Sequence, residues 1–424
     1  MSTIESILST VQIPDVVKIR QSLPRPLLEP TKLTRTLSDR EIGTIVRPGE
    51  SIAVAVGSRG IADQSDVVSQ LVDSLHAAGA DPFIVPAMGS HGGATAKGQE
   101  DLLVDMGISE ATVGAPVRSS MAVDQIGTAS GLPVMVDRLA WGADGIIIVN
   151  RIKPHSSFRG KRESGLAKMI AIGLGKQAGA QACHRQGMPE MANSVAIIAK
   201  QVLSTGRIRA GVALVENAYH ELCYVELIPG AEIFEREPAL LEISRDLQPT
   251  LPFDDLDVLI VDMVGKNIAG TGLDCNVVGR YSSTAMSGGP SISRIAALQL
   301  TPETHGNANG IGLLDVTTRR VYDRMTFEET YPNALTSTAA VSVRIPMVMA
   351  NDMLAIRAAI QTSGAINPAE VRLVRIKDTL SLGDLQASPA AAAQLSSSAD
   401  AKIIGTSEPL AFDDAGNLLE LSTD

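Results

Sequence analysis

Residues 145–149 read Gly-Ile-Ile-Ile-Val, a run too short for a helix and apolar at every position. An alternating strand buries one face. A run with no polar alternate must be covered on both, as in parallel sheets flanked by helices. The pattern recurs along the chain. Residues 52–56 (IAVAV) end in Gly57-Ser58-Arg59-Gly60, residues 83–85 run into Gly89-Ser90-His91-Gly92-Gly93, and residues 210–215 end at Glu216-Asn217. Helix-spaced apolar residues lie between these runs. They are Val68, Leu71, Val72 and Leu75, capped at Ser65 or Asp66 and stopped at Gly79, then the stretches 99–106 and 192–203. Strands alternating with helices predict an α/β fold with mostly parallel sheets.

The second half repeats the theme. Residues 248–257 (QPTLPFDDLD) read as a linker, followed by a strand at 258–261 leading to Lys266, strands at 295–300 and 371–376, and a helix at 352–361. The Ala/Ser-rich stretch 387–401 reads as a short helix capped at Ser388-Pro389, then a turn. The expectation is two α/β domains, 1–245 and 246–385, with the active site in the cleft between them. A tail, 386–424, is expected to pack back on the first domain.

Several classes fall away on composition. Acidic residues number 47 against 36 basic, a net charge of −11, with no basic stripe interleaved with aromatics; nucleic acid is an unsuitable partner. No apolar run approaches the ~18 residues of a membrane span, and the first 23 residues hold no apolar leader core. Cys183, Cys223 and Cys275 are too few and too scattered for a disulfide framework, which suits a reducing, cytoplasmic setting.

In open parallel sheets ligands collect beyond the carboxyl ends of the strands. There the chain places Arg59, His91 and His155, the last in Asn150-Arg151-Ile152-Lys153-Pro154-His155, although only six histidines exist. The stretch 153–184 (KPHSSFRGKRESGLAKMIAIGLGKQAGAQACH) is basic and glycine-rich, which suits an anionic ligand. Lys168 stands among Leu166, Ala167, Met169 and Ile170, where desolvation favours its neutral, nucleophilic amine. Gly173-Leu174-Gly175-Lys176 lacks Walker A spacing, and no HExxH or CxxC pair marks a zinc site.

Together these residues resemble the nickel-pincer-nucleotide-dependent lactate racemases and their α-hydroxyacid racemase and epimerase relatives. Arg59 resembles the arginine after the family's first strand, His91 in GSHGG the first acid/base histidine, and His155 in RIKPH the second. Lys168 resembles the lysine that tethers the cofactor through a thioamide. His184, sixteen residues on, resembles the nickel-ligating histidine, and Lys266 the lysine that binds the substrate carboxylate. The resemblance implies an isomerase that moves hydride to and from a nickel-pincer nucleotide through a 2-keto acid. Gly57 and Ser58, standing where the family has an acidic residue, would lie on the cofactor side. Small 2-hydroxy acids and the cofactor-synthesis enzymes would be its partners, and the protein a monomer or homodimer.

The chain departs from the family at 156–165, a loop three residues longer that carries Arg159, Lys161 and Arg162 and hints at a second anionic group on the substrate. The stretch His305–Gly310 (HGNANG) resembles a branch of relatives. Two other readings stand beside the racemase. One is a metal-dependent hydrolase or lyase with His91 and His155 as ligands; the other is a non-catalytic nucleotide- or phosphate-binding protein using residues 153–176.

Overall fold

The computed structural model describes residues 2–58, 60–365, 367–395 and 400–421. They form two compact units, one of Arg25–Gln248 and one of Met1–Pro24 with Pro249–Asp424.

In the unit Arg25–Gln248 a five-stranded sheet runs in the order Asp81–Pro86, Ser51–Val56, Gly145–Arg151, Ile208–Glu216, Leu222–Pro229. The first four strands are parallel; the fifth returns antiparallel. The unbroken apolar runs are explained by their two-sided burial. Ile52, Val54, Val56, Ile147 and Val149 join Val68, Leu71 and Leu75 of helix Gln64–Ala77 on one face. Ala53, Ala55, Ile146 and Ile148 join Leu166, Ile170, Val195 and Ile198 on the other. Each fully buried aliphatic side chain contributes about 1.5–3 kcal/mol, so this doubly covered sheet is a rigid base for the loops at its ends. Helix Gln64–Ala77 begins before the expected Ser65 or Asp66 cap. Asp63 occupies the cap position at φ 56 with no side-chain hydrogen bond to the helix.

The other unit holds an eight-stranded sheet: Met347–Met349, Val316–Thr318, Ser291–Leu300, Asp255–Val264, Leu373–Ile376, Asp384–Ala387, Val16–Gln21, Ala401–Glu408. Its first five strands are parallel and the rest antiparallel. The domain division expected from sequence therefore needs correction at the chain's start. Val16–Gln21 is a strand, pairing Ile19 with Leu385 on one side and Ile403 on the other. Residues 1–24 thus belong with 249–424, and the tail strand Ala401–Glu408 finds its ladder there. The linker is also shorter and less solvated than its composition suggests, because Leu251 and Phe253 are buried and the next strand begins at Asp255. Helix Pro389–Ala392 is capped by Ser388, whose hydroxyl accepts from Ala391 N–H. The turn expected after it falls at 396–399, outside the described residues.

Candidate active site

Four parallel strands put their carboxyl ends on one edge of the sheet. The chain steps from Ser51–Val56 to Asp81–Pro86 on one side, then crosses back to Gly145–Arg151 on the other. The ligand-binding position of such a sheet lies at this reversal, and the loops after Val56 and Arg151 flank it. Glu216, buried at the end of the next strand, ties both together: it accepts from Ala62 N–H at 2.8 Å and pairs with Arg151. Arg59 lies in the first of these loops, outside the described residues.

The loop after Pro86 carries His91. Gly89, Gly92 and Gly93 have φ of 59°, 64° and 63°, and a Cβ on Gly92 would lie 2.5 Å from the carbonyl carbon of Gly98. The tight turn therefore needs glycine there, and it presents His91 to solvent. Ser58 Oγ meets His91 Nδ1, so these two sequence-assigned residues are brought together.

The loop after Arg151 is closed by reciprocal backbone hydrogen bonds between Lys153 and Ser164, of 2.8 and 3.1 Å. Inside it the Glu163 carboxylate is fully buried. It accepts from His155 N–H at 2.7 Å, Gly160 N–H at 3.1 Å and Arg245 at 2.7 Å. The His155 ring stacks on Phe158 with 4.3 Å between centroids, and its Nδ1 accepts from Ser157 N–H at 3.0 Å. That bond leaves Nε2 as the position of the exchangeable proton in the neutral ring. The basic residues of this loop are engaged within the protein. Arg159 donates to the His155 carbonyl at 2.7 Å, while Arg162 lies over the Phe234 ring and donates to its carbonyl. The hint of a second substrate anion loses two of its three cations this way; Lys161 stays exposed.

Lys168 ends the first helical turn, Leu166–Lys168, which continues as a π-helical turn through Met169–Gly173. This segment packs close to the strand ends. A Cβ on Gly57 would lie 3.0 Å from Met169 Cε and 3.2 Å from Asn150 Oδ1, and Gly89 N–H donates to the Gly173 carbonyl at 3.2 Å. The chain then breaks at Lys176, a non-glycine residue at φ 53, before helix Lys176–His184. Burial, with the Lys168 ammonium adding to it, pushes the His184 imidazole down to about 4, so the ring is neutral at pH 7. Burial pushes the Cys183 thiol up to about 12 against the opposing Lys168 charge. His184 therefore keeps a lone pair for a metal beside an amine able to carry a tethered group, which fits the cofactor that the resemblance implies. Among the described residues no group of three or more His, Cys, Asp or Glu is placed to hold a metal, so the reading of His91 and His155 as a protein-only metal site gains no third ligand.

In the other unit Lys266 follows strand Asp255–Val264. Its N–H donates to Thr304 Oγ1 at 3.0 Å, and its ammonium donates to the Gly270 carbonyl at 3.0 Å, which Asn309 Nδ2 also reaches at 2.9 Å. His305 is exposed at φ 49 as the C-cap of the short Pro302–Thr304 turn, a loop-shaping place.

The roles of four residues escaped the sequence reading: Glu163, Glu237, Gln99 and Lys176. Glu237 is wholly buried in helix Ile233–Asp246, and its Oε2 accepts from Ala167 N–H at 2.8 Å at the start of the Lys168 segment. Lys176, the last residue of Gly173-Leu174-Gly175-Lys176, is entirely buried and ion-paired to Asp137 at 3.1 Å, so it is not a solvent-facing phosphate cradle. An isolated acid or lysine in a polar stretch carries no spacing signal; a lysine flanked by GLG and QAGA offered only a faint one.

Residues 13–196 match the family model of the lactate racemase N-terminal domain. The fold resembles the lactate racemase apoprotein from Thermoanaerobacterium thermosaccharolyticum at a TM-score of 0.51 and 13% identity, over 87% of this chain and 99% of that one. No curated protein matches the chain.

Proposed function

From the match of residues 13–196 to the lactate racemase N-terminal domain, we propose that the chain is a relative of the lactate racemases and interconverts the stereoisomers of a small 2-hydroxy acid with the help of a nickel-pincer nucleotide. The observation that carries this reading is that Lys168 and His184, both half-buried in one helical segment, lie close enough for the lysine charge to act on the histidine. When bound, such a cofactor supplies a hydride acceptor at carbon, which the barely acidic C–H of a hydroxy-carboxylate requires.

The chain's own residues do the rest. Lys168 is assigned the tether and His184 the metal-facing nitrogen. His91 and His155 are assigned the hydroxyl proton, one accepting it from either enantiomer and the other returning it to the planar keto acid. Ser58 against His91 Nδ1 holds that ring for the task, whereas His155 Nδ1 must release Ser157 N–H before its ring can take a proton. Arg59 and Lys266 are assigned the substrate carboxylate, fixing the carbon that loses hydride. Gly57, where a side chain would press on Met169 and Asn150, leaves room for the cofactor segment.

The test is protein produced alongside cofactor-synthesis enzymes, analysed by intact mass, metal content and chiral chromatography of a panel of 2-hydroxy acids. The expected result is a mass increment on Lys168, stoichiometric nickel, and racemisation or epimerisation of one panel member. Lys168→Ala should lose the increment, and His184→Ala should keep it but lose metal. Activity independent of nickel, or stoichiometric zinc with an unmodified Lys168, would overturn the reading in favour of a metal-dependent hydrolase or lyase.

A further inference from the structure

Lys176 has no exposed surface; its ammonium donates to the Pro86 carbonyl and to Gln99 Oε1 at 2.9 Å, and it is ion-paired with Asp137 Oδ2 at 3.1 Å. Each partner belongs to a different piece of the unit. Pro86 ends the strand that feeds the His91 loop, Gln99 lies in helix Ala96–Asp105, and Asp137 ends the strand Leu132–Asp137. Asp137 is fixed in turn, its Oδ1 accepting from Leu139 and Ala140 N–H at 2.8 and 3.0 Å. Gln99, also fully buried, turns its other end to the loop. Its Nε2 donates to the Gly89 carbonyl at 2.9 Å and to the His91 carbonyl at 3.2 Å.

The arrangement costs the chain something. A lysine at φ 53 is strained relative to glycine, and burying its charge is unfavourable, so desolvation draws its pKa down despite Asp137. An apolar residue would fill the space more cheaply. It could not join the turn after the Lys168 segment to the carbonyls of the His91 loop.

We infer that Lys176 and Gln99 are positioning residues: through Asp137–Lys176–Gln99 they lock the His91 loop to the helical segment that presents Lys168. The inference rests on the proposed role of His91 as acid/base. It adds that His91 is held in register with the tethering segment by a buried polar chain, alongside the direct bond from Gly89 N–H to the Gly173 carbonyl. A hydroxyl proton moves only over hydrogen-bond distance, so a shift of about 1 Å in this loop would cost on the order of 10²-fold in turnover.

Two variants of Gln99 separate the links. Gln99→Glu keeps an acceptor for Lys176 and the same shape but removes both donors to the loop, whereas Gln99→Leu removes everything. In the protein without cofactor, hydrogen exchange at residues 88–93 should accelerate at least tenfold in both variants, with strands Ser51–Val56 and Gly145–Arg151 unchanged. In the cofactor-loaded enzyme, kcat should fall on the order of 10–100-fold with KM nearly constant and the Lys168 mass increment intact. In a His91→Ala background the same substitutions should cost little more, since the positioned group is gone. Unchanged exchange at 88–93, or equal losses of kcat with and without His91, would overturn the inference. Accelerated exchange in a protein that racemises nothing would instead uphold the lock and defeat the proposed function.

Discussion

Glu163 holds His155 from beneath, its buried carboxylate accepting the His155 backbone N–H at 2.7 Å while Arg245 pairs with its other oxygen at 2.7 Å. A carboxylate without exposed surface needs its charge matched and its lone pairs filled, and two arginines and two backbone N–H groups do this here. The long basic loop is thereby folded around its own acid. Glu163→Ala should lower stability by about 2–3 kcal/mol, less than for a wholly buried pair because Arg159 and Arg245 are each about a third exposed. Chemical denaturation of the protein without cofactor measures this. Turnover should fall alongside, because His155 loses the bond that sets its backbone.

Glu237 makes stability depend on pH. Burial pushes its carboxyl up to about 7, against the Ala167 N–H and the Arg162 charge, and its Oε1 has no hydrogen-bond partner. A carboxyl with its folded value above its unfolded one favours folding while protonated. That contribution is full below 4.5 and lost as pH rises through about 7. The rise from 4.5 to about 7 corresponds to about 3 kcal/mol. Glu237→Gln should therefore match the wild type near pH 4.5 and exceed it at pH 8 by up to that amount. Denaturation midpoints at the two pH values decide it, and parallel curves would count against a protonated Glu237.

Ser58→Ala should lower kcat roughly tenfold, well short of the 10²–10⁴ expected for losing the base itself. Ser58 orients the His91 ring but is not assigned the proton. Chirally resolved steady-state kinetics give the answer, with the Lys168 mass increment as the control for cofactor loading. A lost increment would return Ser58 to a cofactor-binding role.

Much of this was readable in the residues. Doubly buried strands leave uninterrupted aliphatic runs, so 52–56, 83–85, 145–149 and 210–215 announced the first sheet, and the histidines after two of them fall at its carboxyl edge. Val16–Gln21 announced nothing, because its sequence (VVKIRQ) is half polar and its partners lie more than 360 residues away. The supports of the site were equally silent. Glu163 and Gln99 act through burial and bonds to backbone groups of nearby loops, and Lys176 through a carbonyl 90 residues away; none of these follows from local pattern. The three basic residues of the 156–165 loop suggested a ligand, while an internal carboxylate and the Phe234 ring engage two of them.

Gly57→Ala probes the closeness of the Lys168 segment to the sheet. The added methyl would sit 3.0 Å from Met169 Cε and 3.2 Å from Asn150 Oδ1. Met169 adjoins Lys168, so relief by moving it displaces the turn that carries Lys168. The expected cost is about 1–3 kcal/mol of stability, together with a reduced fraction of Lys168 carrying cofactor in intact-mass spectra. Full loading at wild-type stability would show that the neighbouring methionine yields freely.

The pairing of Val16–Gln21 with Asp384–Ala387 and Ala401–Glu408 sets an order of events during synthesis. Arg25–Gln248 is a continuous stretch and can complete its fold as it emerges, whereas the strand that leaves the ribosome before it has no ladder until nearly the whole chain is made. At typical elongation rates this wait lasts on the order of ten seconds or more. Throughout it, a strand with unpaired backbone groups on both edges hangs from a finished unit. Nascent chains stalled or cleaved before residue 384 would carry that orphan strand permanently, a template for association with other such chains.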